Sequence, residues 1–193
     1  MSERDPTNAE WYDEELARIT IGEVTPLDGR VEIAEYDPRW PSLFEREAER
    51  IRVALGTRVV LLEHAGSTSV PGLPAKPVID ILLEVPDSAA EDAYVPALED
   101  AGYPLRIREP EWFEHRLFKG PDTNLNLHVF SAGCEEVVRM LAFRDRLRDN
   151  EADRELYAAA KRELAARDWN HVQQYADAKT RVVHEILERT AAG

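Results

Sequence analysis

The feature that most constrains this chain is an apolar run at residues 78–85, which contains Asp80 near its start. Short runs rich in Val, Ile and Leu are typical of strands buried at the centre of a sheet. Residues 59–63 form a second run of this kind. Because buried central strands need helices packed on the sheet, the two runs predict an α/β fold with a small sheet and flanking helices.

Periodicity and turn residues predict the other elements. Alternating apolar and polar residues indicate further strands at residues 31–36, 103–108, 112–119 and 124–130. Helical spacing and capping residues indicate helices at residues 11–21, 43–55, 88–101, 135–149, 151–167 and 170–190. A turn is predicted around Gly22, Pro26, Asp28 and Gly29. This order predicts an N-terminal extension at 1–30, an α/β core at 31–133 and a helical C-terminal region at 134–193.

Composition narrows the classes of function. The net charge is −14, from 38 acids and 24 bases, which disfavours binding to duplex nucleic acid because that binding needs Lys and Arg against phosphates. No apolar run reaches the roughly 18 residues of a membrane span, and the polar N-terminal segment predicts no secretory signal. The single cysteine, Cys134, cannot form an internal disulfide, so we expect a cytoplasmic protein. A small anionic ligand remains compatible if basic residues gather in one cleft.

Residues 66–69 form a turn suited to binding an anion. They are Gly66, Ser67, Thr68 and Ser69, directly after the first central strand. Glycine lets a backbone approach a ligand closely, and hydroxyl and backbone N–H groups at a helix start bind phosphate. The turn therefore predicts a phosphate site. The alternative is an ordinary Gly-Ser turn, because short matches of this kind are frequent by chance.

Two charged side chains follow the turn. Lys76 offers a point charge for phosphate, and Asp80 offers an oxygen ligand of the kind that magnesium prefers. An ionised carboxylate on an apolar strand is costly unless it is paired or bound to a metal, so Asp80 strengthens the functional interpretation. His64, at the end of the preceding strand, either lines the same pocket or caps the turn.

The sequence HAGSTSVPGLPAKPVIDI at residues 64–81 resembles the signature of the GrpB family, which is placed in the nucleotidyltransferase superfamily. FRDRLR at residues 143–148 resembles the helical region of that family, and LHV at residues 127–129 resembles its His-containing strand. The resemblance spans residues 31–190 and implies a nucleotidyltransferase-like small mixed sheet. The family's reaction is largely unassigned. The superfamily implies magnesium-dependent nucleotidyl or phosphoryl transfer with a nucleoside triphosphate as ligand.

The superfamily pattern places two carboxylates one residue apart on one strand, and a third on a neighbouring strand, around two metal ions. Here the residues two positions before and after Asp80 are Val78 and Leu82, and the neighbouring strand offers Asn126 and His128 but no acid. His128 is a metal ligand, a base or a satisfied core histidine. Either Asp80 and His128 hold one magnesium ion, or the pocket binds its ligand without metal. With Lys76, these two are the candidate catalytic residues.

Four bases in the C-terminal region are candidates for phosphate binding: Arg144, Arg148, Lys161 and Lys179. The two arginines share a helix face because they are four residues apart, and each lysine follows a tyrosine by four residues. We expect the lysines to approach the site from the helical region. The alternatives are surface ion pairs for the arginines and exposed ammonium groups for the lysines.

Two functions are compatible with these residues. One is a metal-dependent nucleotidyl or phosphoryl transferase acting on a small substrate. The other is a catalytically depleted regulatory module that binds a nucleotide or another phosphorylated ligand. Both require that Ser67 and Asp80 face a common cavity, roofed by basic side chains of the C-terminal helices.

Overall fold

The strands of the sheet are β1 (Leu61–Ala65), β2 (Ile79–Val85), β3 (Leu105–Glu109), β4 (His115–Lys119) and β5 (Leu125–Ser131). They form one mixed sheet in the computed structural model, which describes residues 8–24 and 30–191. The sheet order is β1-β2-β5-β4-β3, and only β2 and β5 are parallel neighbours among these strands.

The helices over the same ranges are α1 (Ala9–Ile19), α2 (Trp40–Leu55), α3 (Val95–Asp100), α4 (Glu135–Asp149), α5 (Glu151–Ala165), α6 (Val172–Ala178) and α7 (Thr180–Ala191). The mixed α/β fold with flanking helices and a helical C-terminal region is thereby confirmed. No helix among the described residues combines the length and the apolar character that crossing a membrane requires.

One face of the sheet carries the main hydrophobic core. Ile81 and Leu127 project to this face, because side chains alternate between the two sides of a strand. Helix α2 covers them with Phe44 and Ile51, and α3 adds Leu98. None of these five side chains is more than 8% exposed. The core therefore fixes β2 and β5, from which the polar side chains of the other face project.

The opposite face packs on helix α4 through Leu82, Phe130 and Val137. The C-terminal helices also hold the segment between β1 and β2, in which Val70 and Leu73 are fully buried against α4, α5 and α7. This packing places the start of β2, and the turn that leads toward it, beside the C-terminal helices.

The prediction of a strand at residues 31–36 is wrong. The segment contributes one bridge, from Ala34 to Ala75. Its apolar residues Val31 and Ile33 pack in a separate cluster with Trp169 of the C-terminal region. The alternating pattern is therefore explained by packing against helices instead of by sheet pairing.

The helix predicted at residues 88–101 is shorter than expected. It consists of a 3₁₀ turn at Glu91–Ala93 followed by α3. The Ser88 hydroxyl lies 2.9 Å from the Ser131 hydroxyl, and the Glu91 carboxylate accepts from Arg108. Both side chains are thus used in tertiary contacts instead of capping the start of a helix at residue 88.

Two further boundaries differ. The helix predicted at residues 170–190 is divided into α6 and α7 at Lys179, and the strand predicted at 112–119 begins at His115 because Phe113 and Glu114 have positive φ angles of 54° and 50°. The turn predicted around Pro26, Asp28 and Gly29 lies outside the described residues.

Glu84 links β2 to the turn before α4. Its Oε1 accepts from the backbone N–H groups of Gly133 (3.1 Å) and Cys134 (3.2 Å). We expect Glu84→Ala to lower the free energy of unfolding by about 1–2 kcal/mol, because both donors lose their acceptor. Glu84→Gln keeps an acceptor oxygen and is expected to lose less, as urea denaturation would measure. Equal losses in the two variants would contradict this role.

Candidate functional site

Asp80 lies at the start of β2 on the face opposite the main core. The parallel register with β5 places Asn126 directly beside it and His128 one side-chain position further along the same face. Asp80 Oδ1 accepts from Asn126 Nδ2 at 2.9 Å, and it lies 3.7 Å from His128 Nε2. The Asp80 and His128 side chains are 28% and 19% exposed. The pair is therefore accessible to a small ligand.

Gly66 brings the turn against the Asp80 carboxylate. Its backbone has φ 63° and ψ −172°, a combination essentially limited to glycine. A Cβ atom at this position would lie 2.2 Å from Asp80 Oδ2. The absence of a side chain is therefore what allows the turn to reach the carboxylate.

The hydroxyl groups of the turn differ in role. Thr68 Oγ1 donates to the Val78 carbonyl (3.2 Å) and contacts His64, and Ser69 Oγ donates to the Gly66 carbonyl at 2.6 Å. Both side chains are buried. The predicted phosphate contacts of Thr68 and Ser69 are corrected accordingly, because their hydroxyls hold the 3₁₀ turn Ser67–Ser69 together.

Ser67 and Asp80 share one neighbour, Tyr157 of α5, which interacts with the Ser67 side chain and with the Asp80 charge. Burial raises the pKa of Tyr157 to about 12, and the negative charge of Asp80 adds to the rise. Tyr157 thus connects the Gly-Ser turn and the acid to the C-terminal helices.

Lysine side chains act electrostatically on this acid. The sequence contains four lysines, and three of them, Lys76, Lys119 and Lys179, interact electrostatically with Asp80. Burial raises the pKa of the Asp80 carboxyl, but His128, Asn126 and the Lys179 charge outweigh it and hold that pKa below its ordinary value. Asp80 is therefore ionised at neutral pH, and the lysine charges that act on it are positive.

Lys76 is partly buried beside the same carboxylate. Burial lowers its pKa, the Asp80 charge opposes that effect, and the Lys179 charge reinforces it. Lys119 Nζ donates to Asn126 Oδ1, and Asn126 in turn donates to Asp80. The lysines and the acid are consequently one electrostatic cluster.

Lys161 does not reach this cluster as a ligand-binding group. It is 2% exposed, its Nζ donates to the Pro74 carbonyl, and Nζ lies 4.8 Å from the centre of the Tyr157 ring. Burial, with the charges of Lys179 and Arg162, lowers the pKa of Lys161 to about 6. The predicted phosphate contact of Lys161 is thereby corrected: this amine packs the β1–β2 segment against α5.

The two arginines of α4 are also structural. Arg144 Nη1 donates to Glu63 Oε2 (2.8 Å) and to the His64 carbonyl (2.9 Å). Arg148 donates from Nε and Nη2 to the Ser69 carbonyl, at 3.1 and 2.9 Å. Arg144 and Arg148 thus hold α4 against β1 and the turn, and their phosphate contacts stay a prediction.

A cavity of about 640 Å³ lies next to the turn on the α2 side. His64 stacks on Phe44 there at 4.8 Å, and burial lowers the pKa of His64 to about 4. Side chains of both charges line it, including Glu45, Glu63, Arg148 and Arg154. Arg148 thus faces this cavity, whereas Asp80 belongs to the other side of the sheet.

A second histidine continues the site into the sheet. His115 Nε2 lies 3.1 Å from His128 Nδ1, and His115 Nδ1 lies 2.7 Å from Glu109 Oε2. Burial lowers the pKa of His115 to about 4, so its ring is neutral at neutral pH. The sequence predicts a strand at residues 112–119, which contains His115, but it points to no functional role for His115 or Glu109.

Asp80 and His128 supply two possible ligand atoms for one cation. An oxygen and a nitrogen, each about 2.1 Å from a metal ion, lie roughly 3.0–4.2 Å apart depending on the angle, and Asp80 Oδ1 and His128 Nε2 are 3.7 Å apart. Among the described residues, no three His, Cys, Asp or Glu side chains converge as a metal-binding group. A bound ion would complete its coordination with water or ligand oxygens.

Comparison with known proteins agrees with the signature at residues 64–81. The model of the GrpB family, described as GrpB protein, matches residues 30–189. The chain belongs to the GrpB family. It is 61% identical over 180 residues to the UPF0157 protein BH1888 of Halalkalibacterium halodurans, covering 93% of this chain and 92% of that protein.

Two other matches each cover more than four fifths of the chain. The UPF0157 protein SCO7215 of Streptomyces coelicolor is 44% identical over 160 residues, covering 83% of this chain and 84% of that one. The crystal structure of the conserved protein GrpB from Enterococcus faecalis superposes with a TM-score of 0.68 at 32% identity, covering 82% of this chain and 99% of that one. This chain therefore has the same fold as the crystal structure of that GrpB protein.

Proposed function

We propose that this GrpB protein binds a small phosphorylated ligand of the nucleotide class beside Asp80, with one divalent cation between Asp80 and His128. One observation carries the proposal. A chain with a net charge of −14 has four lysines, and three of them interact electrostatically with a single ionised carboxylate at a Gly-Ser turn. A local positive field on an acidic protein favours an anionic ligand at that place.

Each residue has a role in this proposal. Lys76, Lys119 and Lys179 bind phosphate oxygens, and the Gly66–Ser67 backbone approaches the ligand closely. Asp80 and His128 hold the cation, which would neutralise charge on the phosphate oxygens. Magnesium is the cation implied by the superfamily, but a paired oxygen and imidazole nitrogen suit Mn²⁺ at least as well.

Nucleotidyl or phosphoryl transfer is the second candidate, favoured by the ionised carboxylate next to the phosphate-binding turn. The two-ion mechanism of the superfamily needs more acidic ligands than Asp80 and His128 supply. Binding in a regulatory role therefore comes first. Release of pyrophosphate or phosphate from ATP in Mn²⁺, lost in Asp80→Ala, would reverse that order.

The test is calorimetric titration with ATP in Mn²⁺, in Mg²⁺ and in EDTA. Asp80→Ala is expected to weaken ATP binding in Mn²⁺, because a cation ligand is lost. In EDTA the same variant is expected to strengthen binding, because a negative charge that repels phosphate is removed. No ATP binding by the wild type in any condition, or the same change in Mn²⁺ and EDTA, would contradict the proposal.

The lysines are tested separately. Lys179→Gln is expected to weaken ATP binding about tenfold, the effect of losing one charged hydrogen bond. Arg167→Gln is the matched control, because Arg167 pairs on the surface with Glu163. It removes the same unit of charge away from Asp80. If the two substitutions weaken ATP binding equally, the affinity depends only on the net charge of the protein, and the proposed contact of Lys179 with phosphate is contradicted.

A further inference from the structure

Glu109, His115 and His128 form a hydrogen-bonded row that ends at Asp80. The Glu109 carboxylate accepts, so the hydrogen in its contact with His115 lies on Nδ1. A neutral imidazole carries one N–H, and His115 Nε2 is therefore an acceptor. The 3.1 Å contact then requires the hydrogen of His128 to lie on Nδ1.

This tautomer leaves a lone pair on His128 Nε2, which lies 3.7 Å from Asp80 Oδ1. In the neutral ring Nε2 and Asp80 Oδ1 are both acceptors, so the gap between them takes either a proton on Nε2 or a cation. We infer that Glu109 and His115 are positioning residues that fix the tautomer of His128 and so leave Nε2 free to bind a cation. The inference rests on the proposed cation site and adds two residues to it.

The surroundings of His115 favour this order of donors. A positively charged His115 would donate from Nε2 and would turn the His128 hydrogen toward Asp80. However, the His115 side chain is 4% exposed, and it stacks on Phe130 at 4.8 Å with Trp112 edge-on at 4.9 Å. Such an environment disfavours the charged ring.

The tautomer is measured on the ¹⁵N-labelled protein in EDTA, with ¹H–¹⁵N spectra that separate protonated from unprotonated ring nitrogens. We expect the wild-type His128 to be protonated on Nδ1. In Glu109→Ala, His115 is released to carry its hydrogen on Nε2, and His128 is expected to change to the Nε2–H tautomer. Glu111→Ala is the control, because Glu111 is exposed and contacts Arg18 instead. A wild-type Nε2–H tautomer, or no change in Glu109→Ala, would overturn the inference.

Mn²⁺ alone is the second probe. Glu109→Ala is expected to weaken Mn²⁺ binding roughly tenfold or more, the usual effect of losing a residue that orients a ligand, with Glu111→Ala unchanged. Equal Mn²⁺ affinities in Glu109→Ala and wild type would contradict the positioning role. A wild type that binds no Mn²⁺ would contradict the proposed cation site, and the spectra would still decide the tautomer.

Discussion

Replacing Gly66 with alanine is expected to lower the free energy of unfolding by about 3 kcal/mol or more, the sum of backbone strain and overpacking. The strain arises because Gly66 has φ 63° and ψ −172°. The overpacking arises because the added Cβ would lie 2.2 Å from Asp80 Oδ2 and 3.0 Å from Asp80 Cβ. The two strands on either side of the turn are paired at Ala65 and Asp80, so the clash cannot be relieved by a simple shift of the turn.

Two controls separate these causes in urea denaturation. Gly72 has φ 77° with nothing within 4 Å of an added Cβ, so Gly72→Ala measures strain with little overpacking. Gly66→Ala in an Asp80→Ala background measures strain without the carboxylate, and it is expected to cost at least about 1 kcal/mol less than in the wild type. If Gly66→Ala costs no more than Gly72→Ala, close packing of the turn on Asp80 is not important for stability.

The sequence predicts the centre of the sheet well because burial on both sides leaves few options for an apolar run. Residues 78–85 and 59–63 both correspond to paired strands, with β1 beginning two residues later at Leu61. Residues 31–36 show the limit of the same argument. The alternating pattern shows only that one side of this extended segment is apolar. The sequence does not show whether that side packs on helices or belongs to a sheet.

The candidate site is predicted in part for a similar reason. Ser67 follows β1 and Asp80 lies at the start of β2, and these two strands are paired at Ala65 and Asp80. The local sequence around one strand pair is therefore enough to predict that the two residues are close. Arg144 is different, because its partner Glu63 lies 81 residues earlier. Whether an arginine meets a ligand or an acid depends on tertiary contacts that helical spacing does not reveal.

The residues that the sequence analysis missed depend on strand register. Lys119 meets Asn126, and His115 meets His128, only because β4 and β5 pair in one particular alignment. The chain has four lysines. The structure shows that three of them act electrostatically on Asp80, whereas the fourth, Lys161, is buried against the Pro74 carbonyl.

Lys161→Met is expected to stabilise the protein most at low and neutral pH, with a gain that shrinks as pH rises. Burial lowers the pKa of Lys161 from 10.5 to about 6, so between these values the unfolded chain holds a proton that the folded chain lacks. The stability of the wild type therefore rises with pH across this window, by about 1.4 kcal/mol per pH unit for one proton. Below pH 6 the cost of burying the amine is fully present.

The variant lacks this titration, because methionine fills the same space without an amine. Between pH 6.5 and 8.5 the difference in the free energy of unfolding between variant and wild type is expected to fall by about 3 kcal/mol, which is two pH units at the slope for one proton. The loss of the hydrogen bond to Pro74 shifts the difference by a constant and leaves its slope unchanged. Urea denaturation at four pH values in this interval measures the slope.

Lys179→Met is the matched control for the pH dependence. Lys179 Nζ lies 4.7 Å from the centre of the Tyr175 ring, as Lys161 Nζ lies 4.8 Å from that of Tyr157, but Lys179 is only partly buried. The control therefore removes a lysine from a tyrosine ring and keeps the buried amine. Because the Lys179 charge contributes to the lowered pKa of Lys161, the rise in unfolding free energy is expected to begin at a higher pH and to keep the slope for one proton. If Lys161→Met also keeps that slope, Lys161 is charged in the folded protein, and its amine is then a candidate to join the lysines proposed to bind the ligand.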